Sequence, residues 1–203
     1  HPQYAELKTV LAATPESDPL DSLSDQHRAV LDAVEGKIVF TFVGTFNRTQ
    51  HPLLAIRAFE MLAARPGFPI ERVALLVGGT GLDGDEVSRR LAALPFAHEL
   101  GWLKPHEMRA LLVRSHAGLL PLNFPSPAST TKAFAYLAAG LPIVNCAQGD
   151  LAALIDDERV GINVRGGNAE GFADAIAALV ADPAQLEAMQ ARTRGLYAKS
   201  FDQ

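Results

Sequence analysis

Ser129-Thr130-Thr131-Lys132 sets three hydroxyls and an ammonium at the opening of an apolar stretch that closes on Gly140, meets Pro142 and runs into Ile143-Val144. Ser129 has the chemistry of an N-cap, Gly140 suits a left-handed C-cap, and Pro142 forbids continuation. A helix so bounded turns the free N–H groups of its first turn toward whatever lies before it, which is an anion-binding geometry. Lys132 in that turn opposes the helix dipole, at about 0.3–1 kcal/mol for an exposed site, unless an anion lies between ammonium and helix end. Two readings stay open: a solvated lysine on an ordinary capped helix, or a phosphate site.

Three further stretches carry usable residue types. Gly44-Thr45-Phe46-Asn47-Arg48-Thr49-Gln50-His51 follows an apolar run and precedes Pro52, a residue suited to the first helical position. Gly44 lets backbone approach a ligand, and Arg48 is either a diphosphate partner or an exposed loop cation. Gly79-Thr80-Gly81-Leu82-Asp83-Gly84 fits G-x-G-x-x-G between a strand and a helix, with Glu99 where a dinucleotide fold would hold its ribose-binding acid. That motif raises an NAD-dependent oxidoreductase fragment as a rival function. Asp83, Asp85 and Glu86, however, surround the helix start with charge that would repel a pyrophosphate, so these glycines are read as turn formers. Trp102, after Gly101, offers an indole for base stacking or for packing. His51, His98, His106 and His116 lack metal-ligand spacing and no metal site is expected. Asp156-Asp157-Glu158 is read as a solvated helix end, and no nucleophile triad can be assembled.

The frame that must hold these residues is a series of short β-rich runs alternating with amphipathic stretches, the mark of βαβ units and a parallel sheet. Six strands are predicted, at 38–43, 73–77, 97–100, 118–122, 143–146 and 162–164. Helices are predicted at 52–64, 85–94, 105–115, 130–139, 151–155, 169–181 and 183–197. Phe172, Ile176 and Leu179 mark an inward helical face, and Asp182, Pro183 and Gln185 open the last helix. Ligands in such sheets bind beyond the carboxyl ends of the strands, at a topological switch point. Residues 1–36 read as a lead-in, with a turn-rich linker at 14–19 and a helix over 24–34 capped by Ser24 or Asp25.

A chain of 203 residues holds one full domain, here 37–203, and would cramp two. With a net charge of −5 and scattered cations there is no footprint for nucleic acid. The single cysteine, Cys146, excludes a disulfide framework and fits a reducing, cytoplasmic setting. No apolar run reaches the length of a membrane span, nothing at the start reads as a signal peptide, and the chain begins with His1, as a fragment of a longer protein would.

The segment from Ser129 to Val144 resembles the "S-K-L-F-E-Y-L-A-A-G-x-P-V-V" signature of bacterial family-4 glycosyltransferases. Phe42-Val43-Gly44-Thr45-Phe46, Leu76 to Gly81, Leu100-Gly101-Trp102-Leu103, Leu119-Leu120-Pro121 and Val160-Gly161-Ile162-Asn163-Val164 fall in the family's order. The resemblance runs from Lys37 to the C-terminus and covers the family's C-terminal half. It implies a Rossmann-like three-layer α/β domain, one half of a GT-B fold, that binds a UDP- or GDP-sugar for retaining sugar transfer. No cofactor or obligatory metal is implied, the nucleotide sugar entering as substrate. The carbohydrate or lipid-linked acceptor would belong to an N-terminal domain outside this chain, without which the chain should be inactive. Site positions implied are Gly44, Thr45, Arg48, Ser129, Thr130, Thr131 and Lys132 for the donor phosphates, and Gly101, Trp102, Leu103, Asn123 and Ala135 for base and ribose.

There are departures. The family's loop arginine and lysine fall at Thr45 and Gln50, and its two glutamates at Pro127 and Ala135. Asn123 and Asn145 are conceivable substitutes for the lost ribose contact. A degenerate, non-catalytic binding module is therefore the second alternative.

Overall fold

The computed structural model describes residues 23–122 and 130–201. Strands β1 (Ile38–Val43) and β2 (Val73–Gly78) are apolar almost without a break, as strands covered on both faces must be. Side chains alternate between two cores. Phe40, Phe42, Leu75 and Val77 face one way, and Val39, Val43, Ala74 and Leu76 the other. With β3 (Ala97–Gly101), β4 (Ala117–Leu120), β5 (Ile143–Asn145) and β6 (Gly161–Asn163) they form one parallel sheet in the order β3-β2-β1-β4-β5-β6. Successive strands run outward from β1 to one edge and then outward from β4 to the other, so the switch point lies between β1 and β4.

The helices are α1 (Asp25–Ala33), α2 (Pro52–Ala63), α3 (Gly84–Leu91), α4 (Pro105–Val113), α5 (Thr130–Ala138), α6 (Asp150–Glu158), α7 (Ala169–Ala181) and α8 (Pro183–Phe201). Phe59 of α2, Val87 of α3 and Phe172 of α7 fill one layer. Leu112 of α4, Tyr136 of α5 and Ile155 of α6 fill the other. Helix α8 passes between the layers: Leu186 and Met189 join the first core, while Leu196 and Tyr197 pack against the second. Its apolar residues therefore form no single stripe.

Element boundaries depart from expectation where the chain turns to bury a side chain. The helix expected over 85–94 stops at Leu91, and the N–H of Leu94 returns to the Leu91 carbonyl at 2.9 Å, delivering Leu94 and Phe96 to the core. The strand expected over 118–122 ends at Leu120, whose carbonyl accepts from both Leu122 and Cys146 N–H at 3.0 Å. The short helix expected over 151–155 runs to Glu158 and leaves its acidic end exposed. Caps follow the sequence more closely. Ser24 accepts from His27 N–H at 3.2 Å, Asp182 from Gln185 N–H at 2.9 Å, and Gly140 (φ 74°) ends α5 in a Schellman motif, with Leu141 N–H on the Tyr136 carbonyl at 2.9 Å. The Ser129 cap lies outside the described residues.

At the β1–β4 seam the ladder pairs only Phe40 with Ala117 and Thr41 with Gly118. Side chains extend it at both ends. Toward the amino ends of the strands, His116 Nδ1 accepts the Val39 N–H at 3.0 Å. Toward the carboxyl ends, the Tyr136 hydroxyl accepts the Val43 N–H and donates to the Leu119 carbonyl, each at 3.2 Å. The Tyr136 ring lies against Gly118, where a Cβ would collide with it.

Tyr136→Phe leaves a buried N–H and a buried carbonyl unpaired and should cost about 1–3 kcal/mol, read in urea titration as a lower midpoint at unchanged slope. Burial holds His116 below the usual histidine value of 6.5, and a protonated Nδ1 could not accept the Val39 N–H. The unfolded chain then binds the proton more readily, so stability should be full above pH 6.5 and fall as pH drops through the lowered folded value. His116→Asn keeps an acceptor without a titrating group, and should flatten that part of a melting-temperature profile; an unchanged acid slope would remove His116 as its source.

Candidate functional site

Beyond Val43 the chain turns into the loop after β1, and between this loop, the ends of β2 and β3 and the start of α5 lies a cleft of about 330 Å³. Gly44, Thr45 and Gln50 line it from this loop, Gly79 from the end of β2, Trp102 and Leu103 from the end of β3, and Thr131, Lys132 and Ala135 from α5. Sequence positions from four separate blocks are thereby brought to one place. A second crevice, of about 360 Å³, opens at the amino ends of the strands beside Lys37, Arg114, His116 and Arg194. The carboxyl ends of α1, α4 and α5 face it, and the cations there already answer those carbonyl ends.

Lys132 is the one charged side chain among the described residues lining the first cleft. Its residue is half-buried, but Nζ itself is buried without a hydrogen-bond partner. The ammonium stands 4.0 Å from the centroid of the Phe42 ring, a cation–π contact in place of a carboxylate. Gly44 makes this possible, because a Cβ there would collide with Nζ and lie 2.9 Å from Cε. The glycine thus gives room to the lysine. Burial pushes the Lys132 amine down to about 7. An isolated buried ammonium at the start of a helix is held against both desolvation and the dipole, and an incoming anion would relieve both.

The G-x-G-x-x-G stretch has a packing function. A Cβ on Gly79 would strike the Gly44 carbonyl, and one on Gly81 the backbone of Phe46. Phe46 N–H donates to the Thr80 carbonyl at 2.9 Å and Asp83 N–H to the Phe46 carbonyl at 3.1 Å, so the loops after β1 and β2 are bonded to each other. Glu99 accepts from the Ser88 hydroxyl at 2.9 Å. The oxidoreductase alternative finds no support in this arrangement.

The remaining positions divide. Trp102 is 75% exposed, an indole face open at the cleft. Gly101 does not line the cleft; its carbonyl accepts the Gly79 N–H at 2.7 Å, tying the β2 and β3 loops. Arg48 is exposed and lies outside the cleft lining. Ser129, Asn123 and Pro127 lie outside the described residues, and Thr130 is described only as the first residue of α5. Ala135 forms apolar wall one turn from Lys132. Asn145 is not free to replace a ribose acid: buried, it donates to the Ala147 carbonyl and Asn163 Oδ1 and accepts from Ala147 N–H, at 2.8–2.9 Å. Cys146 is a free thiol pushed up to about 12 by burial. No metal-holding group of His, Cys, Asp and Glu occurs among the described residues.

A parallel six-stranded sheet of this order, with a helical layer on each face, is a Rossmann-like α/β domain. Residues 37–182 match the family described as glycosyl transferases group 1, and the chain belongs to that family. Over 174 residues it is 30% identical to D-inositol 3-phosphate glycosyltransferase of Rhodococcus erythropolis, covering 83% of this chain and 39% of that protein. Against the protein of the same name from Kribbella flavida it is 31% identical, covering 80% and 40%. The chain thus spans about two-fifths of the length of the relatives it matches. Its fold is shared with Anabaena Alr3699/HepE in complex with UDP and glucose, at TM-score 0.70 and 15% identity, over 91% of this chain and 51% of that one. It is shared also with WaaG, a glycosyltransferase involved in lipopolysaccharide biosynthesis, at TM-score 0.68 and 17% identity, over 90% and 49%. These are GT-B glycosyltransferases, and the domain is Rossmann-like α/β as expected. No helix among the described residues is long and apolar enough to cross a membrane.

Because the folded state resists the Lys132 proton, stability of the ligand-free protein should rise with pH between about 7 and the usual lysine value of 10.5, by up to about 1.4 kcal/mol per unit. Lys132→Met lacks this rise and should be the more stable protein near neutrality, with the two converging at alkaline pH. Parallel denaturation curves at pH 6.5 and 9.5 measure it, and equal stabilities at pH 6.5 would contradict the burial of the charge.

Proposed function

We propose that this chain is the donor-binding half of a GT-B glycosyltransferase, taking a nucleotide sugar such as a UDP- or GDP-sugar as substrate. The observation that carries this is the buried, unpartnered Lys132 ammonium at the carboxyl ends of the strands. It would meet the donor diphosphate together with the first-turn amides of α5 at Thr130 and Thr131, while Trp102 and Leu103 receive the base. In transfer with retention of configuration, negative charge grows on the departing diphosphate, and a fixed ammonium in a water-poor cleft stabilises it without reorganising. The carbohydrate or lipid-linked acceptor would be held by protein outside this chain. A cytoplasmic setting accords with the free Cys146 thiol.

One observation favours a second reading. Ala135 leaves apolar wall where the family's ribose carboxylate falls, and a non-catalytic domain that only binds nucleotide would tolerate that loss.

Calorimetric titration separates the possibilities. UDP or GDP should bind ahead of NAD, and Lys132→Ala should weaken UDP and pyrophosphate by about 1–3 kcal/mol. Ala135→Glu should tighten UDP but not pyrophosphate, which has no hydroxyl for a carboxylate to accept. The chain alone should transfer no sugar. Tighter binding of NAD than of UDP and GDP, or an unchanged affinity in folded Lys132→Ala, would overturn the donor-site reading.

A further inference from the structure

Lys132 Nζ has a counterpart. Gln50 Oε1 lines the same cleft and is likewise buried with no hydrogen-bond partner. One of these atoms is a donor and the other an acceptor, so an occupant that presents an anion and a hydrogen-bond donor together would satisfy both. The only other unpartnered buried side-chain atom found among the described residues, His27 Nδ1, lies elsewhere, 3.4 Å from Glu107 Oε1.

The position of Gln50 is set by a rigid turn. Its own N–H and that of Thr49 both donate to Asn47 Oδ1, at 2.8 and 3.0 Å. The N–H of His51 donates to the Asn47 carbonyl at 2.8 Å, and His51 takes the left-handed conformation (φ 47°) immediately before Pro52. The amide is thereby carried by an Asx turn locked to the start of α2. A diphosphate oxygen, itself an acceptor, cannot satisfy Oε1. Neighbouring wall from Val43, Leu103, Met108 and Ala135 is apolar, which makes this oxygen a rare buried acceptor in the cleft.

Resting on the donor-site reading above, we propose that Gln50 is a specificity-determining residue: its side-chain oxygen accepts a hydroxyl of the sugar that the diphosphate carries, while Lys132 holds the diphosphate. The cleft then prefers the intact nucleotide sugar to the bare nucleoside diphosphate.

The test is calorimetry of the chain with pyrophosphate, UDP, GDP, UDP-glucose and GDP-mannose. One of the two nucleotide sugars should bind roughly five-fold tighter than its nucleoside diphosphate, the scale of one neutral hydrogen bond. Gln50→Met, which keeps length and removes the acceptor, should abolish that margin and leave pyrophosphate affinity within about two-fold, the latter also reporting an intact fold. Gln50→Lys, which replaces the acceptor with a second cation, should tighten pyrophosphate without restoring the margin. Equal weakening of UDP and UDP-glucose in Gln50→Met would show the amide serving the phosphates, and no change in either would show it idle; each overturns the role of Gln50 alone. Absence of binding by all five probes overturns the diphosphate reading, and the role of Gln50 with it.

Discussion

β1 and β4 separate after two paired residues, and the separation is stable beside the cleft that the loop after β1 and helix α5 enclose. Two diverging strands normally leave buried N–H and carbonyl groups without partners, at about 1–3 kcal/mol each. The Tyr136 hydroxyl sits between Val43 and Leu119 and satisfies one of each. The tyrosine belongs to α5, the helix whose first turn carries Lys132. One residue therefore ties helix α5 to both strands, and Gly118 is the position in β4 whose missing Cβ lets the ring approach the strand.

On that support the protein holds a charge in a poor environment. Lys132 has an aromatic face where a carboxylate would neutralise it, and Phe42 is itself fixed in the opposite core, in contact with Phe46 at a centroid distance of 6.3 Å. Cation–π attraction offsets about 0.5–2 kcal/mol of the desolvation penalty, which leaves much of it standing. A ligand anion gains from relief of that penalty as well as from direct attraction, and the β2 and β3 loops, bonded through Gly79 and Gly101, keep the surrounding backbone from collapsing onto the ammonium.

The strand-helix alternation was legible because each strand must be apolar on both faces and each helix announces its ends: Ser24, Gly140 and Asp182 all cap as their chemistry requires. Residue pairs distant in sequence were less legible. Gly44 reads as a ligand-facing glycine and lines the cleft, but the room it gives the Lys132 side chain cannot be seen in the sequence. The G-x-G-x-x-G glycines read as turn formers, but that they make room for the backbone of Gly44 and Phe46 shows only in the fold. Asn145 reads as a spare polar group, yet its amide is consumed by Ala147 and Asn163. Arg48 has the right charge, but the Asx turn that aims Gln50 inward leaves Arg48 in solvent. Gly118 was the available signal for Tyr136, since an isolated glycine inside a strand marks close approach by another group.

The three departures from the family pattern within this cleft are consistent with one electrostatic constraint. A second buried ammonium at position 50 would share the low-dielectric cleft with Lys132, and unlike charges to offset the pair would have to come from a carboxylate such as position 135 could carry. With Ala135 in place no such charge is available among the described lining residues, and each added cation would deepen the cost of the empty site by the desolvation of one more ion and by repulsion. Thr45 and Gln50 keep the cleft at a single positive charge, which the Phe42 face can partly accommodate. In the donor-site reading proposed above, discrimination at this cleft shifts from charge toward hydrogen bonding. A lone cation attracts any anion that fits, and selectivity among anions then falls to neutral groups able to tell a hydroxyl from a phosphate oxygen.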